Sequence, residues 1–246
     1  MAKKVFSLLL LVAACVALFS SCRKKEDETG DITRNYFPLT FGKYVTYDVD
    51  SLYYDENLCT QYRIKSQLKY VVTDTFTDRS NFYNRLCYIV DVFARPYEGA
   101  IWIPQSVILL NPTGNSLNWS QDGVKYVKMM FPVTEGIKWK GNANVPATDL
   151  ALSYLMNWNY QYMNYQKSYN TGLLNFDNTV TVLENDESVN YPGVDSGVAA
   201  YRTYSKSVYA YNVGLVYREI THWTYKAYNS QCLNGYSVVM RAIDHN

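Results

Sequence analysis

Runs of alternating residues, separated by turn signals, restrict the fold of this chain more than any other feature. In the segment 61–74, one face carries Tyr62, Ile64, Ser66, Leu68, Tyr70 and Val72 at alternate positions. The segment 44–50 repeats the pattern with Val45, Tyr47 and Val49. A period of two places such side chains on one face of a β-strand. Further strand-like runs cover residues 84–93, 100–110, 124–131, 180–184, 198–213, 214–228 and 236–243.

These runs are not interleaved with helical segments, which favours an antiparallel over a parallel sheet. The composition agrees, because the chain contains 25 tyrosines and aromatic residues are enriched in strands. The sequence therefore predicts a mainly β protein with a single antiparallel domain and little helix.

The segment 149–162 fits two structures. Trp158, Tyr160 and Tyr162 alternate with amide residues, a pattern that favours one long strand. Asp149, followed by several leucines, also fits the start of a short capped helix. We favour the strand.

The rings of Trp158, Tyr160 and Tyr162 would then share one face of that strand. Aromatic platforms beside amide hydrogen-bonding groups suit the recognition of sugars, so these three residues are the candidate ligand-binding set. The alternative is that the rings belong to the hydrophobic core.

Catalytic motifs do not emerge from the sequence. His222 lies in a strand-like run with no recognisable nucleophile or orienting carboxylate, and His245 is next to the last residue. Two acidic clusters flank turns, so we expect them to be solvated loop charge: Asp48, Asp50, Asp55 and Glu56, and later Glu184, Asp186 and Glu187. We therefore expect no enzyme activity, no cofactor and no metal site.

The N-terminus carries a secretory signal. Lys3 and Lys4 precede an apolar run over 5–18, which ends in Phe19-Ser20-Ser21-Cys22. A transmembrane helix is the alternative, but spanning takes about 20 apolar residues and this run is shorter. The small residues before Cys22 resemble the lipobox of bacterial lipoproteins, although Phe19 stands where that motif usually has Leu. The resemblance implies removal of residues 1–21 and attachment of a membrane lipid anchor to the thiol of Cys22.

The charged residues after Cys22 carry a second resemblance. Lys25, Glu26 and Asp27 resemble the lysine-plus-two-acids export signal of Bacteroidota lipoproteins. This resemblance implies an outer-membrane protein that faces the cell exterior, with a periplasm-facing orientation as the alternative. The same residues also act as a flexible tether.

Loss of residues 1–21 removes Lys3 and Lys4 and no acidic residue, so the formal net charge changes from +1 to −1. Proteins that bind nucleic acids usually carry a strongly basic patch. A nearly neutral chain therefore excludes nucleic acid as an expected partner.

Three cysteines remain after the signal and the lipidated thiol are set aside: Cys59, Cys87 and Cys232. Cys87 lies in a strand-like run and fits a buried free thiol. Cys59 and Cys232 lie in polar, loop-like segments, and an oxidising compartment permits a disulfide between them. The pairing stays open at this point.

Two segments near the ends of the domain resemble secreted bacterial β proteins. The run 37–47 resembles their "FPL-x-x-G-x-x-W/Y-x-Y" start, and 212–217 resembles their late "G-[IV]-G-L-V" hairpin, with Asn212 in place of the first Gly. The resemblance implies an uncharacterised lipoprotein family with a curved or barrel-like antiparallel sheet. It implies no activity.

Asp50-Ser51-Leu52 resembles the short O-glycosylation sequon of Bacteroidota. The resemblance makes Ser51 a candidate site for a glycan.

These observations predict a signal peptide over 1–21, a flexible charged linker over 22–34 and one β-rich domain over 35–246. We expect a lipid-anchored lipoprotein that binds a ligand, such as a glycan or lipid, or a protein partner. A structural or assembly subunit of an outer-membrane complex is the alternative, and a hydrolase with an unrecognised carboxylate site is a weaker one. A concave sheet lined by tyrosine and tryptophan would favour ligand binding, and a flat exposed apolar patch would favour a protein partner.

Overall fold

The computed structural model describes residues 31–79, 84–146, 148–228 and 231–246. The predicted signal peptide over 1–21, the predicted lipidation site Cys22 and the predicted export signal Lys25, Glu26 and Asp27 lie outside the described residues. One compact unit runs from Ile32 to Asn246. Its first element is a 3₁₀ helix over Ile32–Tyr36, which includes the last three residues of the predicted linker.

Twelve strands form a single antiparallel sheet. Nearly all consecutive strands pair with each other, and β1 also pairs with β12, which joins the two ends of the domain. The strands are β1 (Tyr44–Asp55), β2 (Thr60–Asp78), β3 (Arg85–Arg95), β4 (Ile103–Pro112), β5 (Ser116–Gln121), β6 (Val124–Met130), β7 (Lys138–Lys140), β8 (Asn159–Asn170), β9 (Asn175–Val189), β10 (Ala200–Ala210), β11 (Gly214–Tyr225) and β12 (Leu233–His245).

The two edges of the sheet, β6 and β7, come together and nearly close a barrel. The backbone N–H of Val127 donates to the carbonyl of Gly141 at 2.8 Å, just after β7. The indole N–H of Trp139 donates to the carbonyl of Val127 at 2.7 Å. Closure satisfies backbone groups that an open edge would expose. The predicted fold class, a mainly β antiparallel domain with a barrel-like sheet and little helix, is confirmed.

The first 3₁₀ helix fills one end of the barrel. Tyr36 at its C-terminus is buried, and its ring meets Tyr211 edge-on at a centroid distance of 5.6 Å. Phe37, the next residue, packs against Trp119 and Tyr209. The turn at 38–43 then leads into β1, with Gly42 in the left-handed region at φ +80°.

A second 3₁₀ helix, Leu150–Leu155, replaces part of the predicted long strand, so the strand prediction was wrong for this segment. The alternative of a short capped helix was correct, because an Asp149 carboxylate oxygen accepts from the N–H of Ala151 at 3.0 Å. Asn157 then adopts φ +64°, which no regular strand permits, and β8 begins only at Asn159. The second helix lies at the opposite end of the barrel from the first.

At the tips of the hairpins the chain is joined covalently. Cys59, in the turn between β1 and β2, and Cys232, before β12, form a disulfide with a Cα–Cα distance of 5.4 Å. Close by, Trp223 and Tyr225 form a small cluster with Ala200 and Ala227, separate from the main core. Cys87 is buried and free. Within the part of the chain that the structure describes, no helix is long and apolar enough to cross a membrane.

Candidate functional site

Two cavities in the described part of the chain differ in size and chemistry. The apolar cavity, of about 40 Å³, lies beside the first 3₁₀ helix and is lined by residues that include Phe37, Tyr47 and Leu215. This volume is enough for at most a few waters. The polar cavity, of about 450 Å³, lies beside the second 3₁₀ helix and is within the range of small-molecule sites. The polar cavity is therefore the candidate site.

The wall of the polar cavity combines aromatic rings with charged groups. Strands β5, β6, β8, β9, β11 and β12 contribute residues, and the loop 141–158 covers one side. The lining residues are Trp119, Gln121, Asp122, Val124, Tyr126, Lys128, Asn142, Asp149, Leu152, Tyr154, Leu155, Trp158, Tyr160, Glu184, Arg218, Ile220 and Tyr236.

A buried ion pair lies at the base of this cavity. The Lys128 Nζ is 3.0 Å from Glu184 Oε1, and the two residues are only 4% and 1% exposed. Glu184 follows Val180 and Val182 at alternate positions of β9, so the strand period points it into the barrel. The pairing of β9 with β10 skips Glu184, which marks a β-bulge at this residue.

Neutral groups complete the surroundings of the ion pair. The hydroxyls of Ser205 and Ser207 on β10 donate to the two carboxylate oxygens of Glu184 at 2.7 and 2.9 Å. The Lys128 ammonium also donates to the Tyr160 hydroxyl at 3.2 Å, and that hydroxyl donates to Asn142 Oδ1 at 2.8 Å. Both oxygens of Glu184 are therefore satisfied by groups of the protein itself.

The ionisation of these groups follows from burial and charge. Burial lowers the pKa of Lys128 to about 8, although Glu184 opposes this shift. Burial alone would raise the pKa of Glu184, but Lys128 and Arg218, helped by the Ser205 hydroxyl, hold it below its usual value. At neutral pH the site therefore contains a carboxylate between two cations.

Arg218 is the second cation of the polar cavity. It lies on β11, where Ser207 of β10 and Met240 of β12 are its partners in register, so neither adjacent strand places a carboxylate opposite it. Its Nε is buried without a hydrogen-bond partner, and among the described residues no side chain forms an ion pair with its guanidinium. Burial opposes the charge of Arg218, but Glu184 and the nearby tyrosines together raise the pKa of Arg218 above its ordinary value, so its charge is permanent.

The second 3₁₀ helix and its loop form the aromatic side of the polar cavity. Tyr154 stacks on the His222 ring at a centroid distance of 3.9 Å, and its hydroxyl lies 2.7 Å from that of Tyr236. The Trp158 indole donates to the carbonyl of Tyr154 at 2.7 Å. Burial lowers the pKa of His222, whose Nδ1 lies 2.9 Å from the Thr203 hydroxyl. These contacts hold the loop against the barrel.

Two exposed carboxylates mark the mouth of the polar cavity. Asp122, in the turn between β5 and β6, and Asp149, which caps the second helix, both line the cavity and are open to solvent. The interior of the cavity therefore holds two cations and one carboxylate, and its rim holds two further carboxylates.

The structure places the predicted aromatic set inside the barrel. Trp158, Tyr160 and Tyr162 share one face as predicted, and all three are buried. Trp158 and Tyr160 line the polar cavity, whereas the Tyr162 hydroxyl donates to the carbonyl of Met130 at 2.8 Å. The core alternative therefore describes all three rings, and two of them also face the cavity.

Ser51 lies within β1 and is 8% exposed. It is paired with Ile64 on one side and Val238 on the other. The folded chain therefore does not present this hydroxyl to a modifying enzyme.

The expectation that Glu184 is solvated loop charge was wrong. The strand β9 extends through Glu184 to Val189, so the residue lies inside the sheet, and only its neighbours Asp186 and Glu187 are exposed. Sequence reasoning also missed Lys128 and Arg218. Each is a charged residue at an inward position of a strand-like run, a signal that alternation could have revealed. Among the described residues no cluster of His, Cys, Asp or Glu could hold a metal ion.

No family model matches the chain, and no curated protein matches it. The solved structures that are similar to it include two from Bacteroides fragilis and Parabacteroides distasonis. One, described as a "putative exported protein with YmcC-like fold" from Bacteroides fragilis, has a TM-score of 0.37 and 13% identity, over 84% of this chain and 97% of the other. The second, described as a "putative lipoprotein" from Parabacteroides distasonis, has a TM-score of 0.38 and 14% identity, over 86% and 98%. Similarity at this level carries no argument about function.

Proposed function

We propose that this chain is a lipid-anchored envelope protein that binds a small ligand inside its barrel. The observation that carries the proposal is the polar cavity of about 450 Å³, where aromatic walls converge with Lys128 and Arg218. Ligand sites in proteins are concave, mostly apolar and equipped with a few directed polar groups. The polar cavity is concave, and it combines aromatic walls with a few directed polar groups.

The interior of the polar cavity supports binding rather than catalysis. Glu184 is the only carboxylate among the described residues that lies deep in this cavity, and its oxygens already accept from Lys128, Ser205 and Ser207. Because its pKa is held low, it does not supply a proton near neutral pH. The carboxylate of Glu184 instead orients the side chains that donate to it.

Binding is tested with N-phenyl-1-naphthylamine, a neutral probe whose fluorescence rises in an apolar site. We expect saturable binding to the wild-type domain. Ile220 lines the polar cavity, so Ile220→Trp fills part of its volume and should weaken probe binding about tenfold or more.

The matched control is Thr221→Trp, which adds the same ring one position further along β11. Alternation directs residue 221 to the outer face of the sheet, where its hydroxyl lies 2.8 Å from that of Ser237. Probe affinity should stay within about twofold of the wild type. Equal loss in both variants, or in neither, would contradict binding inside the cavity.

The anchor rests on the resemblance of residues 19–22 to a lipobox and is tested separately. Cys22→Ala should release the protein from membranes, because stable anchoring takes acyl chains on that thiol. Replacement of Lys25, Glu26 and Asp27 with alanine should leave the protein lipidated but protected from protease added to whole cells. Unchanged surface digestion would refute the export signal.

A second candidate function, an assembly subunit of an outer-membrane complex, is favoured by one surface. Val107 and Leu109 are exposed on the outer side of β4, alternating with the buried Ile108 and Leu110, and Ile103 is exposed on the same strand. Val107→Lys should then abolish a cross-link from position 109 to another envelope protein in cells. Ligand binding would not change.

A further inference from the structure

The charges of the polar cavity do not balance. Lys128 and Glu184 neutralise each other at 3.0 Å, which leaves Arg218 as one uncompensated positive charge. Glu184 attracts both cations, but one carboxylate balances only one positive charge, and a charge that is partly removed from water favours a nearby counter-charge. The interior of this barrel therefore has a strong preference for one additional negative charge.

The protein itself does not supply that charge in the described residues. Glu184 is committed to Lys128 and to two serine hydroxyls, and the register partners of Arg218 are Ser207 and Met240. Asp122 and Asp149 lie at the solvent-exposed rim. A ligand that carries one negative charge would supply it.

The guanidinium determines which anions fit. Its planar fork pairs with two oxygens of a carboxylate, sulfonate or phosphate, and such charge-assisted bidentate pairs are stronger than neutral hydrogen bonds. The buried Nε of Arg218 has no partner within the protein. Because this Nε is closed to solvent while Arg218 lines the cavity, an oxyanion there would meet the terminal nitrogens of the guanidinium.

The other residues that line the cavity indicate what the remainder of the ligand should be. Trp119, Tyr126, Trp158 and Tyr236 present ring surfaces that suit an apolar or ring-containing body. The acids at the rim, Asp122 and Asp149, would repel a second anionic group near the mouth. The site therefore favours a molecule with one anionic end, directed inward.

We propose that the polar cavity binds a small monoanionic ligand, with its oxyanion group on the guanidinium of Arg218 and an apolar or aromatic body between Trp119 and Trp158. This inference rests on the proposed function and names the chemical class of its ligand. Binding forms no covalent bond and needs no cofactor.

The test compares two probes that share a skeleton. 8-Anilinonaphthalene-1-sulfonate is N-phenyl-1-naphthylamine with an added sulfonate, so the ratio of their dissociation constants isolates the contribution of the anionic group. We expect the wild type to bind the sulfonate probe about tenfold more tightly than the neutral probe, or better. This ratio of dissociation constants corresponds to the contribution of one hydrogen bond to a charged group. Arg218→Met should remove about 10–100-fold of sulfonate affinity and change the neutral probe less than about twofold.

Arg241→Met is the matched control. Arg241 is the residue after Met240 on β12, and its guanidinium lies 6.0 Å from the Tyr217 ring on the outer side of the sheet. This variant removes the same formal charge and should leave the probe ratio unchanged. If both arginine variants changed the probe ratio equally, the preference for the sulfonate would come from the net charge of the protein and not from Arg218, which would overturn the inference.

Arg218→Lys covers the case in which Arg218→Met does not fold. This variant keeps the positive charge but loses the planar guanidinium that can bind two oxygens at once. We expect a loss of sulfonate affinity of about threefold to tenfold. Displacement by benzoate and by methyl phenyl phosphate, each of which carries one negative charge, distinguishes carboxylate from phosphate ligands, and benzyl alcohol is the neutral control. Displacement by benzyl alcohol as effective as that by both anions would also overturn the inference.

The two proposals fail in different ways. If neither probe responds to Ile220→Trp, binding does not occur in the cavity and the proposed function fails. If the neutral probe responds to Ile220→Trp but the sulfonate has no advantage that depends on Arg218, the cavity binds ligands and only the anionic class is wrong.

Discussion

The two ends of the barrel interior are built from similar residues but differ in how completely these residues fill the space. We call the end beside the first 3₁₀ helix the packed end and the end beside the second 3₁₀ helix the open end. Beside the first 3₁₀ helix, Tyr36, Phe37 and Tyr209 pack ring against ring and leave only about 40 Å³ unfilled. Beside the second helix, Tyr154, Trp158 and Tyr160 surround about 450 Å³. Aromatic residues therefore fill one end of this barrel and line the other.

The difference lies in the charged residues. At the packed end the polar atom of Tyr47 is satisfied locally, since its hydroxyl donates to the carbonyl of Leu215 at 2.8 Å. At the open end Arg218 keeps a buried Nε without a partner. Natural proteins tolerate such unsatisfied charge mainly at functional sites. We infer that the packed end stabilises the fold and that the open end loses some stability in favour of binding.

The largest expected contrast is in large-to-small substitutions. Tyr47→Ala removes a fully buried ring from the packed end and should lower the free energy of unfolding by about 3–5 kcal/mol. Leu152→Ala at the open end faces an existing cavity and should lower it by about 1 kcal/mol. Urea unfolding with a common m-value measures both. Similar losses at the two ends would remove the distinction.

Removal of the buried carboxylate should also be strongly destabilising. Glu184→Gln leaves Lys128 and Arg218 facing each other without an anion, and we expect a loss of about 3 kcal/mol. The control Asp186→Asn breaks an exposed pair with Arg202 and should lower stability by less than about 1 kcal/mol. Equal effects of the two changes on the urea midpoint would mean that Glu184 is solvated after all.

Two buried groups, Lys128 and Tyr47, should respond to alkaline pH in opposite directions. The folded chain has a Lys128 pKa of about 8 against 10.5 in the unfolded chain, so between these values the unfolded state binds more protons. Stability then rises with pH in this window, by about 1–2 kcal/mol between pH 8 and pH 9.5. Burial raises the pKa of Tyr47 above its usual value of 10.0, so its contribution is lost as pH rises above 10.

Lys128→Met isolates the first of these effects. Urea unfolding at pH 8.0, 8.75 and 9.5 should show a positive slope for the wild type and a flatter one for the variant. A wild-type slope equal to that of Lys128→Met would show that Lys128 titrates near its ordinary pKa.

The smallest expected effect has the opposite sign. Arg218→Met removes the uncompensated charge from the open end and should leave stability unchanged or raise it by up to about 1 kcal/mol. Arg241→Met on the outer face is again the control and should change stability by less than about 0.5 kcal/mol. A loss of more than about 1 kcal/mol in Arg218→Met would show that the guanidinium supports the fold rather than a ligand.

Local patterns in the sequence predicted much of the fold. Alternation in β1 and β2 identified both strands, because side-chain direction in a strand depends only on position along the chain. The segment 149–158 was misjudged, since alternating residues there also satisfy a capped 3₁₀ helix followed by Asn157 at positive φ. Short helices and strands compete closely when the apolar run is brief.

The candidate site was predicted only in part. Trp158 and Tyr160 were identified because they share a face with Tyr162 in one short segment. Glu184 was assigned to solvent because acidic residues beside a turn are usually exposed, and its burial becomes evident only when β9 is seen to continue to Val189. The position of a single charged residue in a strand pattern does not show which distant residue it pairs with.

The sequence by itself determined that this chain forms an antiparallel sheet, since a period of two and recurrent turns are local properties. Only the tertiary structure decided where the functional chemistry lies. Lys128 and Glu184 are separated by 56 residues and belong to strands that do not pair with each other. They meet, close to Arg218, because the sheet curves until β6 and β7 nearly close the barrel, and that closure depends on contacts between distant strands that no local pattern specifies.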